Sequence, residues 1–240
     1  MAVVLAIITL LIGGAMATLA SIAEQRDNEE TTRRLNAAVD ALIGYAVVNK
    51  RLPCPAVSGA TGVEAPAGGA TACTNPYGGF LPAQTIGFTP VDSSGYGVDS
   101  WGNRLRYAVA ATVTGCSGSS TVPHFTNQAN LKANGVSCKP NDIDVFCSTA
   151  ASGTSSTCNS GIRVADQNTI AFIVFSTGKN GAVSGSGQGA DDLANTDGNA
   201  NFVNRFRSTT DSALGIYDDV MVIVPVGVFY QKLIAAGVLP

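Results

Sequence analysis

The chain has 240 residues, of which 13% are charged and 27 are glycine, with a net charge of -3. That balance lacks the basic surplus on which a nucleic-acid-binding surface or a strong attraction to anionic membranes is built, so neither partner is implied. Once an N-terminal apolar segment is set aside, about 190 residues remain, enough for one domain with its own core.

Residues 1–23 contain no charged side chain, and the next stretch, EQRDNEETTRR at 24–34, is dense in charge. Spanning a bilayer takes about 20 apolar residues in a helix, so the run is long enough. A cleaved signal peptide would need a basic start and an apolar region of roughly 7–15 residues. Nothing basic precedes this run, and it is longer. A simple anchor would end where the charges begin. Instead, apolar side chains recur at Leu35, Ala38, Val39, Leu42, Ile43 and Ala46, the period of an amphipathic helix, and no Pro or Gly interrupts 24–34. The pattern predicts one unbroken helix from near residue 1 to about Asn49, about 70–75 Å long. The expected division is a hydrophobic membrane or filament-core helix at 1–23, its amphipathic continuation at 24–49, and a globular domain at 50–240.

Residues 50–88 are rich in Pro, Gly and Ala and read as an extended, stapled loop. RLRYAVAATVTG at 104–115 predicts a strand, TIAFIVFSTG at 169–178 the most buried strand, and DDVMVIVPV at 218–226 its neighbour. In 116–161, four cysteines are expected to replace a conventional core, and 179–202 reads as a long surface loop. Val228, Leu233 and Ile234 suggest one face of a short C-terminal helix. Strands with short connections beside one dominant helix define the α+β class, the long helix packed on an antiparallel sheet.

The six cysteines, Cys54, Cys73, Cys116, Cys138, Cys147 and Cys158, contain no C-x-x-C pair. Behind a membrane-length segment they point to disulfides in an oxidising compartment rather than to zinc or free thiols. Each sequential pair closes a short loop of small residues, which favours Cys54–Cys73, Cys116–Cys138 and Cys147–Cys158.

No catalytic constellation emerges, and an enzyme is not expected. His124, the one histidine, reads as a surface or loop residue, and GCSGS and FSTGKNG lack nucleophile-elbow spacing. Lys179 follows a glycine, but the phosphate-loop pattern around it is incomplete, and it reads as a solvated turn residue. Asp191, Asp192, Asn195, Asp197 and Asn199 gather oxygen ligands of the kind Ca²⁺ takes, without EF-hand spacing. Loops of this composition are usually ordinary turns.

A greasy then amphipathic N-terminal helix followed by a disulfide-bearing sheet domain resembles the type IV pilins and the pseudopilins of type II secretion. MAVVLAIITLLIGG at 1–14 resembles the apolar run that follows the family's N-terminal Glu. DSWGNRLRY at 99–107 resembles the D-x-W-G-N segment of major pseudopilins, and FSTGKNGAVSG with the Asp-rich stretch after it resembles their glycine-rich loop and calcium site. Residues 50–98 and 116–168 match only in style.

The family's N-terminal carboxylate has no counterpart: position 5 is Leu5, and the first carboxylate is Glu24. The register of the run leads us to expect that Met1 continues it from inside the mature sequence; a tip-type minor pseudopilin lacking that Glu is the other reading.

The resemblance implies a structural subunit of a pilus or pilus-like filament, held in the inner membrane before assembly into a periplasmic or extracellular fibre. Its partners would be further copies of itself and the inner-membrane assembly machinery. A major or minor pseudopilin and a non-polymerising membrane-anchored adhesin or binding module are the alternatives. Leu5, Ile8, Leu10, Leu11, Gly13 and Gly14 would lie in the filament core, with the two glycines the weak point of the helix. The implied cofactor is Ca²⁺, with Asp191, Asp192, Asn195 and Asp197 as ligands, Asp192 and Asp197 first among them.

Overall fold

The computed structural model describes residues 2–59, 61–69, 72–116, 123–151, 153, 157–182, 188–208 and 214–239, with side chains for all of these except 2–20 and 182. A single helix, α1, runs from Ala2 to Asn49. It stops where Lys50 takes a left-handed backbone at φ 56°, three residues ahead of Pro53, which cannot continue a helix. The expected stripe is the docked face: Leu35, Ala38, Leu42 and Ala46 are fully buried, with Val39 and Ile43 packed against the same core. Among the described side chains of α1, complete burial begins at Thr31. Leu5, Ile8, Leu10, Leu11, Gly13 and Gly14 have helical backbone, and their side chains lie outside the described residues. Among the described residues no helix is long and apolar enough to cross a membrane.

The fold is α+β. Four strands, β1 (Gly79–Phe80), β2 (Arg106–Val109), β7 (Ile170–Ser176) and β9 (Val220–Pro225), form an antiparallel sheet in the order β1-β2-β7-β9. All seven residues of β7 are buried, as its unbroken apolar run requires of a strand covered on both faces. It pairs with β9 as expected, in a register that sets Ser176 opposite Val220. Helix α1 lies on β7 and β9, and α5 (Val226–Ala235), which leaves β9 directly, packs beside it.

Between β2 and β7 the chain builds β3 (Val113–Thr114), α3 (Gln128–Asn134), β4 (Lys139–Pro140), β5 (Asp144–Phe146) and β6 (Arg163–Ala165). After β7 come α4 (Ala190–Ala194) and β8 (Asn201–Val203). Strands β3 and β4 pair, and β6-β5-β8 form a second sheet in which β5 and β8 run parallel. Phe202 of β8 meets Phe175 of β7 edge to face, joining the two sheets.

Several local expectations give way here. The link from β2 to β7 is long, and its cysteines do not replace a core: Phe125, Leu131, Ile143 and Val145 join the main one. The 50–88 segment contributes β1 and the short helix α2 (Ala83–Ile86). The 179–202 segment carries α4 and β8, and among its described residues Asp191, Asp192, Asn195 and Phe202 turn inward while the rest lie at or near the surface. In α5 the packed face is Phe229, Tyr230 and Leu233, while Val228 and Ile234 are exposed, because the strand-to-helix turn at Pro225 sets the rotation of the helix. His124 is buried, its Nε2 hydrogen-bonded to the Tyr230 hydroxyl at 3.0 Å. Burial lowers its pKa to about 4.

The three disulfides are Cys54–Cys73, Cys116–Cys138 and Cys147–Cys158, the sequential pairing expected from the loops they close. Near the first, a buried ion pair fixes the end of α1. Arg51 donates to both Glu64 oxygens at 2.8 and 2.7 Å, and Glu64 also accepts the N–H groups of Cys54 and Gly68. Burial opposes ionisation of Glu64, but these donors outweigh it and hold the carboxyl below its usual range.

Candidate cation site and helix clamp

Antiparallel pairing of β7 and β9 makes neighbours of the residues that leave β7 and those that precede β9. Beyond β7 the chain turns at Gly178, whose φ of 64° and close approach to Asp218 both exclude a side chain there. Lys179–Ala182 then form a 3-10 turn, in which the Asn180 N–H donates to Asp218 Oδ2 at 3.1 Å. Helix α4 brings Asp192 to the same place, where its Oδ2 accepts Asn180 Nδ2 at 3.1 Å and the Gly189 N–H at 3.0 Å. Asp219 lies alongside, its Oδ2 accepting Asn195 Nδ2 at 2.7 Å.

Asp192, Asp218 and Asp219 thus converge, with one oxygen from each lying within 4.8 Å of the others. Their exposures are 1%, 7% and 6%. The Oδ1 atom of each is buried and accepts no hydrogen bond from any described residue. Burial above all, reinforced by the neighbouring carboxylates, pushes Asp219 well above the usual carboxylate range and raises Asp218 too. The charge of Arg106 offsets only part of this at Asp219.

Three sequestered carboxylates with one orphaned oxygen apiece are costly unless a cation completes them. The donor set is all oxygen, the set a hard divalent ion takes, and Ca²⁺–O bonds of about 2.3–2.6 Å allow ligand oxygens up to about 5 Å apart. The residues therefore fit Ca²⁺.

The four residues singled out in the sequence part company. Asp192 is in the cluster. Asn195 supports it from behind, bonding Asp219 and both backbone groups of Val203. Asp191 faces the other way: it accepts hydrogen bonds from Ser148, Thr149 and Arg205, the Arg205 contact being 2.7 Å. Burial would raise the Asp191 pKa, but these donors hold it below the ordinary value. Asp197 is exposed and closes its own turn with Asn199. Asp218 and Asp219 read in the sequence as the start of a strand. The available signal was an Asp-Asp pair set directly against a run that must be buried.

The D-S-W-G-N segment lies beside this site and grips α1. Asp99 is buried and organises the turn: its Oδ1 accepts the Trp101 and Asn103 N–H groups at 2.9 and 2.8 Å, and its Oδ2 accepts the Ser176 hydroxyl at 2.6 Å. Ser100 Oγ donates to the Asp27 carbonyl and lies 2.8 Å from Thr31 Oγ1. Arg34 donates to the carbonyls of Val98 and Asp99. A second contact comes from Arg207, which pairs with Glu24 of α1.

No family model matches this chain, and neither a curated protein nor a solved structure is detectably similar to it.

Proposed function

We propose that this chain is a structural subunit of a type IV pilin-like filament that polymerises through the N-terminal half of α1. The observation that carries this reading is the continuity of α1. One helix of 48 residues joins a domain-docked, amphipathic half to a half that begins the sequence without a single charge through residue 23. An anchor needs no rigid extension into a domain, whereas a filament subunit must transmit the packing of its core helix to the domain outside. Before assembly the apolar half resides in the inner membrane; in the fibre it packs against other copies, and packing rather than escape from water must favour the assembled state.

The particular member of the class that the residues support is a pseudopilin of type II secretion, because a glycine-bearing turn after the central strand leads into the carboxylate cluster, and the ion proposed for that cluster is Ca²⁺. Leu10→Glu, which sets a charge in the uncharged half, should abolish fibres in cells expressing the full chain while the protein still accumulates with its disulfides formed. Normal fibres, seen by electron microscopy of sheared material and identified as this protein, would refute the assignment of the filament core.

A further inference from the structure

The carboxylate cluster and the neck of α1 are joined by hydrogen bonds linked through the 178–180 turn and the loop at Asp99. Asp218, a member of the cluster, holds the turn at 178–180 through the Asn180 N–H. From the same turn, the Gly178 carbonyl accepts Asn103 Nδ2 at 2.7 Å, and the Gly178 N–H donates to Ser176 Oγ at 3.1 Å. Both routes end at Asp99, which accepts the Asn103 N–H and the Ser176 hydroxyl. The loop so fixed holds α1 through Ser100, at Asp27 and Thr31, and through the contacts of Arg34 with Val98 and Asp99. On the other side, α4 places Asp192 in the cluster and Asp191 on Arg205, two residues before the Arg207 that pairs with Glu24.

We propose that the cation site sets how tightly the domain grips the neck of α1, with Asn103 and Asp99 as the positioning residues that carry the effect. The proposal rests on the reading of Asp192, Asp218 and Asp219 as a cation site. The cluster lies at the end of the β7–β9 pair, just beyond the Ser176–Val220 partners, where the Asn180 N–H ties the 178–180 turn to Asp218. Without an ion, crowded carboxylates push Asp218 away from that turn. With one, Asp218 is fixed, and the Gly178 carbonyl stays where Asn103 can reach it. The consequence for a filament subunit is mechanical: the angle and freedom of the rod relative to the domain depend on whether the site is filled.

Hydrogen–deuterium exchange of the full chain in detergent, in excess CaCl₂ and in EGTA, tests this. In the wild type, chelation should raise exchange not only at 178–181 and 218–220 but also at 98–104 and at helix amides 27–34. The expected rise at the neck is roughly 2- to 10-fold, the factor carried by about one hydrogen bond. Asn103→Ala, which cuts one of the two routes to Asp99, should keep the calcium response at 178–181 and 218–220 and weaken it at the neck. Ser100→Ala, which removes the hydroxyl that touches α1 and leaves the Arg34 contacts, should keep the response in the loop and weaken it in the helix; this variant decides the matter if Asn103→Ala misfolds. A calcium response confined to 178–181 and 218–220 in the wild type, or a neck response undiminished by either substitution, overturns the coupling and leaves the cation site standing. No response anywhere overturns both.

Discussion

Replacing Asp219 with Asn should reverse sign with calcium. Oxygens up to 4.8 Å apart repel by about 3.5 kcal/mol per ionised pair at an effective dielectric constant of about 20. Closer approach within that limit raises the figure, so the site costs the ion-free fold about 3–5 kcal/mol, borne as repulsion or as the partial protonation that relieves it. Asn keeps the shape, and its carbonyl oxygen can still accept from Asn195 Nδ2, so most of that cost disappears. In EGTA the variant should therefore melt above the wild type by roughly 6–20 °C, at about 2–4 °C per kcal/mol for a domain of this size. The raised carboxyls contribute no penalty below their unfolded pKa and a growing one as pH rises, so this gap should shrink on acidification. In calcium the order inverts once the wild type's gain exceeds that cost: a ten-thousandfold excess over Kd gives it about 5.5 kcal/mol, and the variant, with a carboxylate missing, gains little. Thermal unfolding of the full chain in detergent, with CaCl₂ or EGTA, reads both. A variant that melts below the wild type in EGTA, or that keeps the full calcium shift, would refute the reasoning.

Two further outcomes follow from buried groups elsewhere. Arg51→Met strips the counter-ion from Glu64, whose side chain is 7% exposed, and should cost about 3–5 kcal/mol in chemical denaturation. Adding Glu64→Leu should recover a large part of the loss, and a double variant no better than the single one would contradict the account. His124, lowered by burial to about 4 from 6.5, stays neutral in the fold while the unfolded chain takes a proton. Its contribution should fall away as pH drops through that window, by about 2 kcal/mol between pH 7 and pH 5. His124→Gln should flatten that part of the stability curve, and an unchanged slope would place the titration elsewhere.

The elements legible in the sequence are those fixed by local pattern. The stripe from Leu35 to Ala46 defined the docked face of α1, because a period of 3.6 leaves one way for a helix to meet a core. The apolar run of β7 could only be a strand covered on both faces, and three short loops of small residues paired their own cysteines. The candidate site was half legible. Local density of Asp and Asn located the 191–199 region, but density does not say which side chain turns inward. Asp191 and Asp192 are neighbours on one short helix, and the turn of that helix sends one to Arg205 and the other to the cluster. Asp218 and Asp219 join Asp192 only because the β7–β9 register sets Ser176 opposite Val220, which brings residues some 40 positions apart to the same end of the sheet. The link from there to Asp99 and the neck of α1 runs through Ser176 and Asn103 in the same way. Periodicity reports which face of an element is buried, and strand register, a relation between distant segments, decides what meets at its end.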